Sequence, residues 1–170
     1  MIRYARPTDH AAIAEVVAAA FGREDEALLV ARLRAEGDAM FELVAEADEG
    51  VCGHILFSRL WADHPGLFAA LAPLAVRPQR QGSGLGSELV RSGLASAREF
   101  GCHGVLVLGD PAYYGRFGFS ADHAREVTSP FKGLAAFQAL PLEPDAFARP
   151  LIAAYPDAFG ATSSGPPGAH

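Results

Sequence analysis

Between a short apolar run, Leu71 to Val76, and an amphipathic stretch, Leu85 to Phe100, the chain carries Gln81-Gly82-Ser83-Gly84-Leu85-Gly86. A glycine-rich turn therefore opens a helix directly after a strand. The first N–H groups of such a helix have no internal partner, and the helix dipole places about half a positive charge at that end, so an anion is favoured there. Glycines without Cβ atoms let phosphate groups approach the backbone closely. The helix closes at Gly101 and a buried strand is expected from Gly104 to Gly109. One helix joining two strands of a sheet makes them parallel, with a right-handed crossover.

The spacing of the turn decides which anion loop it is. A mononucleotide loop closes on Gly-Lys-Ser/Thr, but no lysine follows here, and Lys132 lies far downstream. A dinucleotide fingerprint, Gly-x-Gly-x-x-Gly, fails as well: counted from Gly82 its last position is Ser87, and from Gly84 it is Leu89. The pattern that fits is Gln/Arg-x-x-Gly-x-Gly/Ala, filled by Gln81, Gly84 and Gly86. The segment from Leu74 through Ala75, Val76, Arg77, Arg80, Gln81, Gly82, Ser83, Gly84 and Leu85 to Gly86 resembles the strand, basic turn and helix start of the GNAT superfamily of acetyl-CoA-dependent N-acetyltransferases. A second match follows in order, because Tyr113-Tyr114-Gly115-Arg116-Phe117-Gly118-Phe119 resembles that family's Tyr-x-x-x-Gly-Phe element. The resemblance is sharp from about Leu71 to Phe119. It implies a mixed α/β fold whose central mixed sheet is flanked by helices and contains a splayed parallel strand pair, with the pantetheine arm of the cofactor in the gap. Pro73, inside the first of those strands, cannot donate to a ladder and predicts a bulge or a parting of strands.

Composition narrows the remaining classes. At 170 residues the chain can bury roughly 70% of its unfolded surface in one core. One domain is expected over residues 1–159, with a flexible tail at 160–170, where Gly, Ser, Pro and Ala dominate. Hydrophobic residues are half the total but dispersed, so no membrane span is expected. Met1-Ile2-Arg3-Tyr4 lacks an apolar signal region, which points to the cytoplasm. A net charge of −6 argues against nucleic acid as a partner and favours cationic small molecules. Cys52 and Cys102 read as reduced, buried thiols, and neither they nor the histidines have zinc-site spacing, so no metal is expected. His54, in the apolar Gly53-His54-Ile55, reads as a hydrogen-bonded core histidine. No Gly-x-Ser-x-Gly elbow supports a serine hydrolase.

Outside the motifs, strands are expected at Ile2 to Arg6, Phe41 to Ala47 and Val51 to Arg59, the last two forming a hairpin across Asp48-Glu49-Gly50. Helices are expected from Asp9 to Phe21, capped by Thr8, and from Glu24 to Glu36. Trp61 to Phe68 reads as a loop, and Glu126 to Phe131, Leu134 to Leu142 and Leu151 to Tyr155 as short strands or connections.

Acetyl transfer from a thioester to an amine makes three demands. The nitrogen must be neutral, and an amine of pKa ~10.4 is only about 0.04% neutral at pH 7, a cost of about 4.6 kcal/mol. Glu24, Asp25, Glu26, Glu46 and Asp110 are candidate bases. The acidic trio is also a good helix start, while the resemblance implies that the connection of the first two helices helps form the acceptor pocket. Second, the departing thiolate needs an acid, and the resemblance assigns Tyr114; the alternative is aromatic packing beside Phe117 and Phe119. Third, backbone N–H groups of the Leu74 to Val76 strand would meet the oxyanion, as the resemblance implies. Arg77 and Arg80 could pair with phosphates or remain ordinary surface charges. The resulting expectation is direct acetyl transfer to a small-molecule or protein amine, with self-association as a homodimer left open. The alternative is a non-catalytic acyl-CoA-binding sensor or scaffold, which the presence of Tyr114 disfavours.

Overall fold

Residues 1–161 are described by the computed structural model. The chain opens with a short edge strand, β1 (Ile2–Tyr4), and a 3-10 turn at Pro7–Asp9. Two helices follow, α1 (His10–Phe21) and α2 (Asp25–Ala35), then the long antiparallel strands β2 (Ala39–Ala47), β3 (Gly50–Ala62) and β4 (Leu67–Val76). Helix α3 (Leu85–Glu99) crosses to β5 (Cys102–Leu108), which lies parallel to β4. Beyond it come the single turn α4 (Pro111–Tyr114), a 3-10 turn at Gly115–Phe117, and strands β6 (Val127–Thr128), β7 (Phe137–Pro141) and β8 (Leu151–Ala154). The main sheet runs β1-β2-β3-β4-β5-β7, and β8 joins the far end of β3 to β6.

The expected class, a mixed sheet flanked by helices, is therefore the observed one. Helix α3 covers one face through Leu89, Val90, Leu94 and Ala97, the spacing of a single apolar stripe. Gly93 is on the same stripe, and a Cβ there would meet the Phe57 ring at 2.5 Å, so its absence sets how closely the helix sits on the sheet. Helices α1 and α2 cover the opposite face, with Ile13, Val16, Val17, Leu29, Val30 and Leu33 against Val44, Leu56 and Ala75. A third cluster, around Phe68, Leu106, Phe137 and Leu151, fills the space under β6 and β8.

Several local expectations change. Thr8 does not cap α1: it lies within the 3-10 turn, and Asp9 stands at the N-cap position with its carboxylate held by Arg3 and by the Arg6 N–H at 2.7 Å. The loop expected at Trp61 to Phe68 shrinks to residues 63–66, because β3 continues to Ala62 and β8 pairs with Trp61 and Ala62. The alternation of exposed Arg59 and Trp61 with buried Leu60 marks that extension. In the β2–β3 hairpin, Ala47 faces Gly50, so Asp48 and Glu49 alone make the turn, with Gly50 at φ +104° and a bulge between Ala45 and Glu46. A 3-10 turn at Asp157–Ala161 ends the described chain. The rest of the tail expected at 160–170 lies outside the described residues.

Candidate functional site

The distortion expected at Pro73 is present in two forms. Against β3 the register jumps, Ile55 pairing with Leu74 and Phe57 with Leu71, so Ala72 and Pro73 together face Leu56. Against β5 the pairing runs only to Leu71 with Val107 and then stops. From there β4 keeps its β3 partners through Val76 while its other edge opens. The Arg77 N–H donates to Cys52 on β3 at 2.9 Å, and backbone groups of a strand alternate sides, so Leu74 and Val76 present theirs to the open edge. Gln81 confirms the direction, its Nε2 donating to the Val76 carbonyl at 2.9 Å.

At the same end of β4 the glycine loop enters α3. Gly82 and Gly84 have φ +77° and +88°, and a Cβ at either would meet nothing within 4 Å, so glycine there serves backbone conformation and leaves open space. The Glu88 N–H returns to the Gly84 carbonyl at 3.1 Å, leaving the amides of Leu85, Gly86 and Ser87 as the unpaired first turn of the helix. A cavity of about 370 Å³ lies against this end, lined by Arg80, Gln81, Gly84, Gly86, Tyr113 and Arg116 among others. A pocket walled by an unpaired helix start and two guanidinium groups suits a polyanion.

The basic side chains near the loop each have a partner within the protein. Arg80 is in an ion pair with Glu49, Arg77 Nε donates to the Val51 carbonyl at 3.0 Å, and the Ser83 hydroxyl donates to the Arg80 carbonyl. Arg116 was not singled out from the sequence. It lies over the Tyr113 ring at 4.7 Å and the Phe117 ring at 5.2 Å, and its Nη2 donates to the Ser87 hydroxyl at 2.8 Å. The signal was its place inside the second motif, three residues after Tyr113.

Tyr114 is buried behind Tyr113, its ring edge-on to Tyr113 at 5.0 Å and to Phe119 at 5.8 Å. Gly109, at the end of β5, makes room for it, since a Cβ there would sit 2.5 Å from the Tyr114 ring. Burial, with a smaller contribution from Tyr113, pushes the Tyr114 phenol above its usual pKa, so it carries its proton at neutral pH. Tyr113, in contrast, lines the loop cavity itself.

The candidate carboxylates are dispersed. Glu24 is exposed at the N-cap position of α2. Glu26 is fully buried and ion-paired with Arg23, Oε1 accepting from Nε at 2.9 Å. Glu46 pairs with Arg3, and Asp110 caps α4 by accepting from the Ala112 N–H at 3.0 Å. Among the described residues no group of three or more His, Cys, Asp or Glu side chains could hold a metal ion. Cys52 and Cys102 are buried free thiols, and no described helix is long and apolar enough to cross a membrane.

His54 is buried in the sheet under α1 and bonded through Nε2 to Glu42 Oε1 at 2.8 Å, as a core histidine should be. Arg34 grips the same carboxylate through Nε and Nη2, both at 2.8 Å. Burial alone would raise the Glu42 pKa, but the bonds and charges of His54 and Arg34 outweigh it and hold the carboxyl down at about 2. Burial depresses His54. Both folded values lie below the unfolded ones, so both contributions are complete above the unfolded pKa values and are lost as pH falls, His54 below ~6.5 and Glu42 from ~4.5 toward 2. Urea unfolding followed from pH 7 to 3 should show stability declining, and Glu42→Gln should flatten the decline below pH 5. An unchanged slope in the variant would remove Glu42 from the acid response.

A model of the acetyltransferase (GNAT) family matches residues 10–119. The uncharacterized N-acetyltransferase YhbS of Escherichia coli is 39% identical over 149 residues, which cover 86% of this chain and 89% of that protein. The crystal structure of that GNAT family protein in complex with CoA superposes with a TM-score of 0.87 at 36% identity, covering 94% of this chain and 91% of that one. A GNAT family acetyltransferase from Brucella melitensis in complex with acetyl-CoA gives a TM-score of 0.79 at 38% identity over 94% and 97% of the two chains.

Proposed function

Because the chain belongs to the GNAT family of acetyltransferases, we propose that it binds acetyl-CoA across the glycine loop and the β4–β5 gap and passes the acetyl group directly to an amine. The observation that carries this reading is the shared end of β4: the strand stops pairing with β5 at Leu71, and nine residues beyond Val76 the chain enters the anion-receptive start of α3 at Leu85. A phosphate-bearing cofactor laid on that loop has its arm directed into the gap. The two relatives crystallised with CoA and acetyl-CoA support the same ligand.

In this arrangement the amides of Leu85, Gly86 and Ser87 receive the pyrophosphate, and Gln81 braces the loop against Val76. Gly82, Ser83 and Gly84 shape the turn. Arg116 adds the charge that Arg80, already paired with Glu49, supplies less freely. The open-edge amide of Leu74 or Val76 polarises the thioester carbonyl, and Ala75 between them bonds toward β3. The neutral amine nitrogen attacks the carbonyl carbon, the C–S bond breaks, Tyr114 donates its proton to the leaving sulfur, and the proton lost by the nitrogen returns to the phenolate through water, leaving amide and free thiol. Glu24, exposed at the start of α2, faces a cationic acceptor at the mouth of the site, and Glu26 fixes that helix start through Arg23.

The first test is ligand-induced stabilisation. At about 100-fold excess over Kd, acetyl-CoA or CoA should add about 2.7 kcal/mol, which for a domain of this size is a Tm rise of about 5–10 °C. NAD and ATP should give no comparable rise. Equal shifts from all four would make the loop a general nucleotide site and overturn the assignment.

A further inference from the structure

We propose that Phe131, Tyr155 and Phe159 form the end wall of the acyl site and restrict the donor to a two-carbon acyl group, an inference that rests on the acetyl-transfer reading above. At the last paired residues of β4 and β5, Ala70 with Leu106 and Leu71 with Val107, a small cavity is lined by Ala70, Leu71 and Ala72 of one strand and Leu106, Val107 and Leu108 of the other. Its remaining lining is the three aromatic residues. Its volume is about 20 Å³, room for roughly one water-sized group, since one such probe needs about 10–15 Å³. An acetyl methyl fits that space. Each further methylene meets the aromatic rings.

The wall is built rather than incidental. Phe131 meets Tyr155 edge-on at 5.2 Å and 90°, and Tyr155 meets Phe159 at 5.3 Å and 77°, so the three rings brace one another in series. They arrive from two separate parts of the chain. Phe131 follows β6, while Tyr155 and Phe159 follow β8, and the parallel pairing of Val127 with Leu151 and Thr128 with Ile152 brings these segments together. On the β4 side the lining is Ala70, Leu71 and Ala72, so the three rings are the bulkiest side chains of the cavity. Among the described residues that line the cavity none is charged, as suits the hydrocarbon end of a thioester rather than an ammonium group, whose burial without a carboxylate is costly.

Calorimetric titration of the wild-type protein with CoA, acetyl-CoA, propionyl-CoA and butyryl-CoA tests the inference, together with Phe131→Ala and the milder Phe131→Leu. Wild type should bind butyryl-CoA at least about 10-fold more weakly than acetyl-CoA, the lower end of what a single methylene costs in a fitted pocket. Phe131→Ala should erase most of that difference and Phe131→Leu part of it, while affinity for unacylated CoA stays within about 3-fold, showing an intact cofactor site. Equal wild-type affinity for acetyl-CoA and butyryl-CoA would overturn the wall, as would a preference unchanged in Phe131→Ala with CoA binding retained. Both of those outcomes leave acetyl transfer standing. Failure of the wild type to bind any of the four would instead remove the acetyl-transfer reading and the wall with it.

Discussion

Replacing Tyr114 by Phe should lower kcat by about 10²- to 10⁴-fold while CoA affinity is largely kept, the loss typical when general-acid assistance is removed from a rate-limiting chemical step. The phenol is buried and its pKa raised, so it enters the reaction protonated. A thiol of pKa ~8.5 is already a better acid than an unperturbed phenol of ~10, and burial widens that gap for Tyr114. In the proposed mechanism the hydroxyl would therefore act chiefly as a strong hydrogen-bond donor to the developing thiolate, with completed transfer late. Tyr113→Phe should be milder, because Tyr113 lines the phosphate-side cavity under Arg116. If Tyr113→Phe were the more damaging in kcat, the acid would be Tyr113; if neither substitution slowed turnover, the thiolate would leave without tyrosine.

Gly84→Val and Gly86→Val should each weaken CoA binding by about 10²-fold or more, abolishing the thermal shift. Two lost hydrogen bonds from backbone N–H to charged phosphate, at about 1.5–3 kcal/mol each, account for that size. The two positions separate backbone strain from blocked approach. Gly84 has φ +88°, where a side chain is strained in any environment, whereas Gly86 is inside α3 and is not among the glycines with positive φ. Among the described residues a Cβ at Gly84 meets no protein atom within 4 Å, so a loss of CoA binding there would not come from a clash within the protein. Folded variants that hold CoA with wild-type affinity would move the pyrophosphate to another site.

Much of this site was legible because its determinants are local. A strand, a turn and a helix start in consecutive residues read directly from Leu74 to Gly86, and Pro73 announced the bulge that the register shift at Ile55 and Phe57 displays. What was missed depends on distant pairing. β3 reaches Ala62 because β8, some ninety residues later, pairs with it, and no local pattern reports that partner. Between the two readings left open for Arg80, phosphate ligand or surface charge, the sequence could not show that Glu49, at the tip of a neighbouring hairpin, forms an ion pair with it. Arg116 gained its role through Ser87, twenty-nine residues away. Asp9 replaced Thr8 at the start of α1 because Arg3 on β1 holds its carboxylate. The acceptor side was least legible, since Glu24 and Glu26 are a good helix start in any sequence, and the fold adds only that one is exposed and the other paired with Arg23.

The most direct measurement is amine-dependent thiol release from acetyl-CoA, run against polyamines, amino acids, aminoglycosides and peptide amines, with the acetylated product identified by mass. Direct transfer predicts that release rises with at least one amine, matches the acetylated amine mole for mole, and falls sharply in Tyr114→Phe. Tight acetyl-CoA binding with no amine-stimulated release from any member of the panel would contradict the account and leave a protein that holds the cofactor without turning it over.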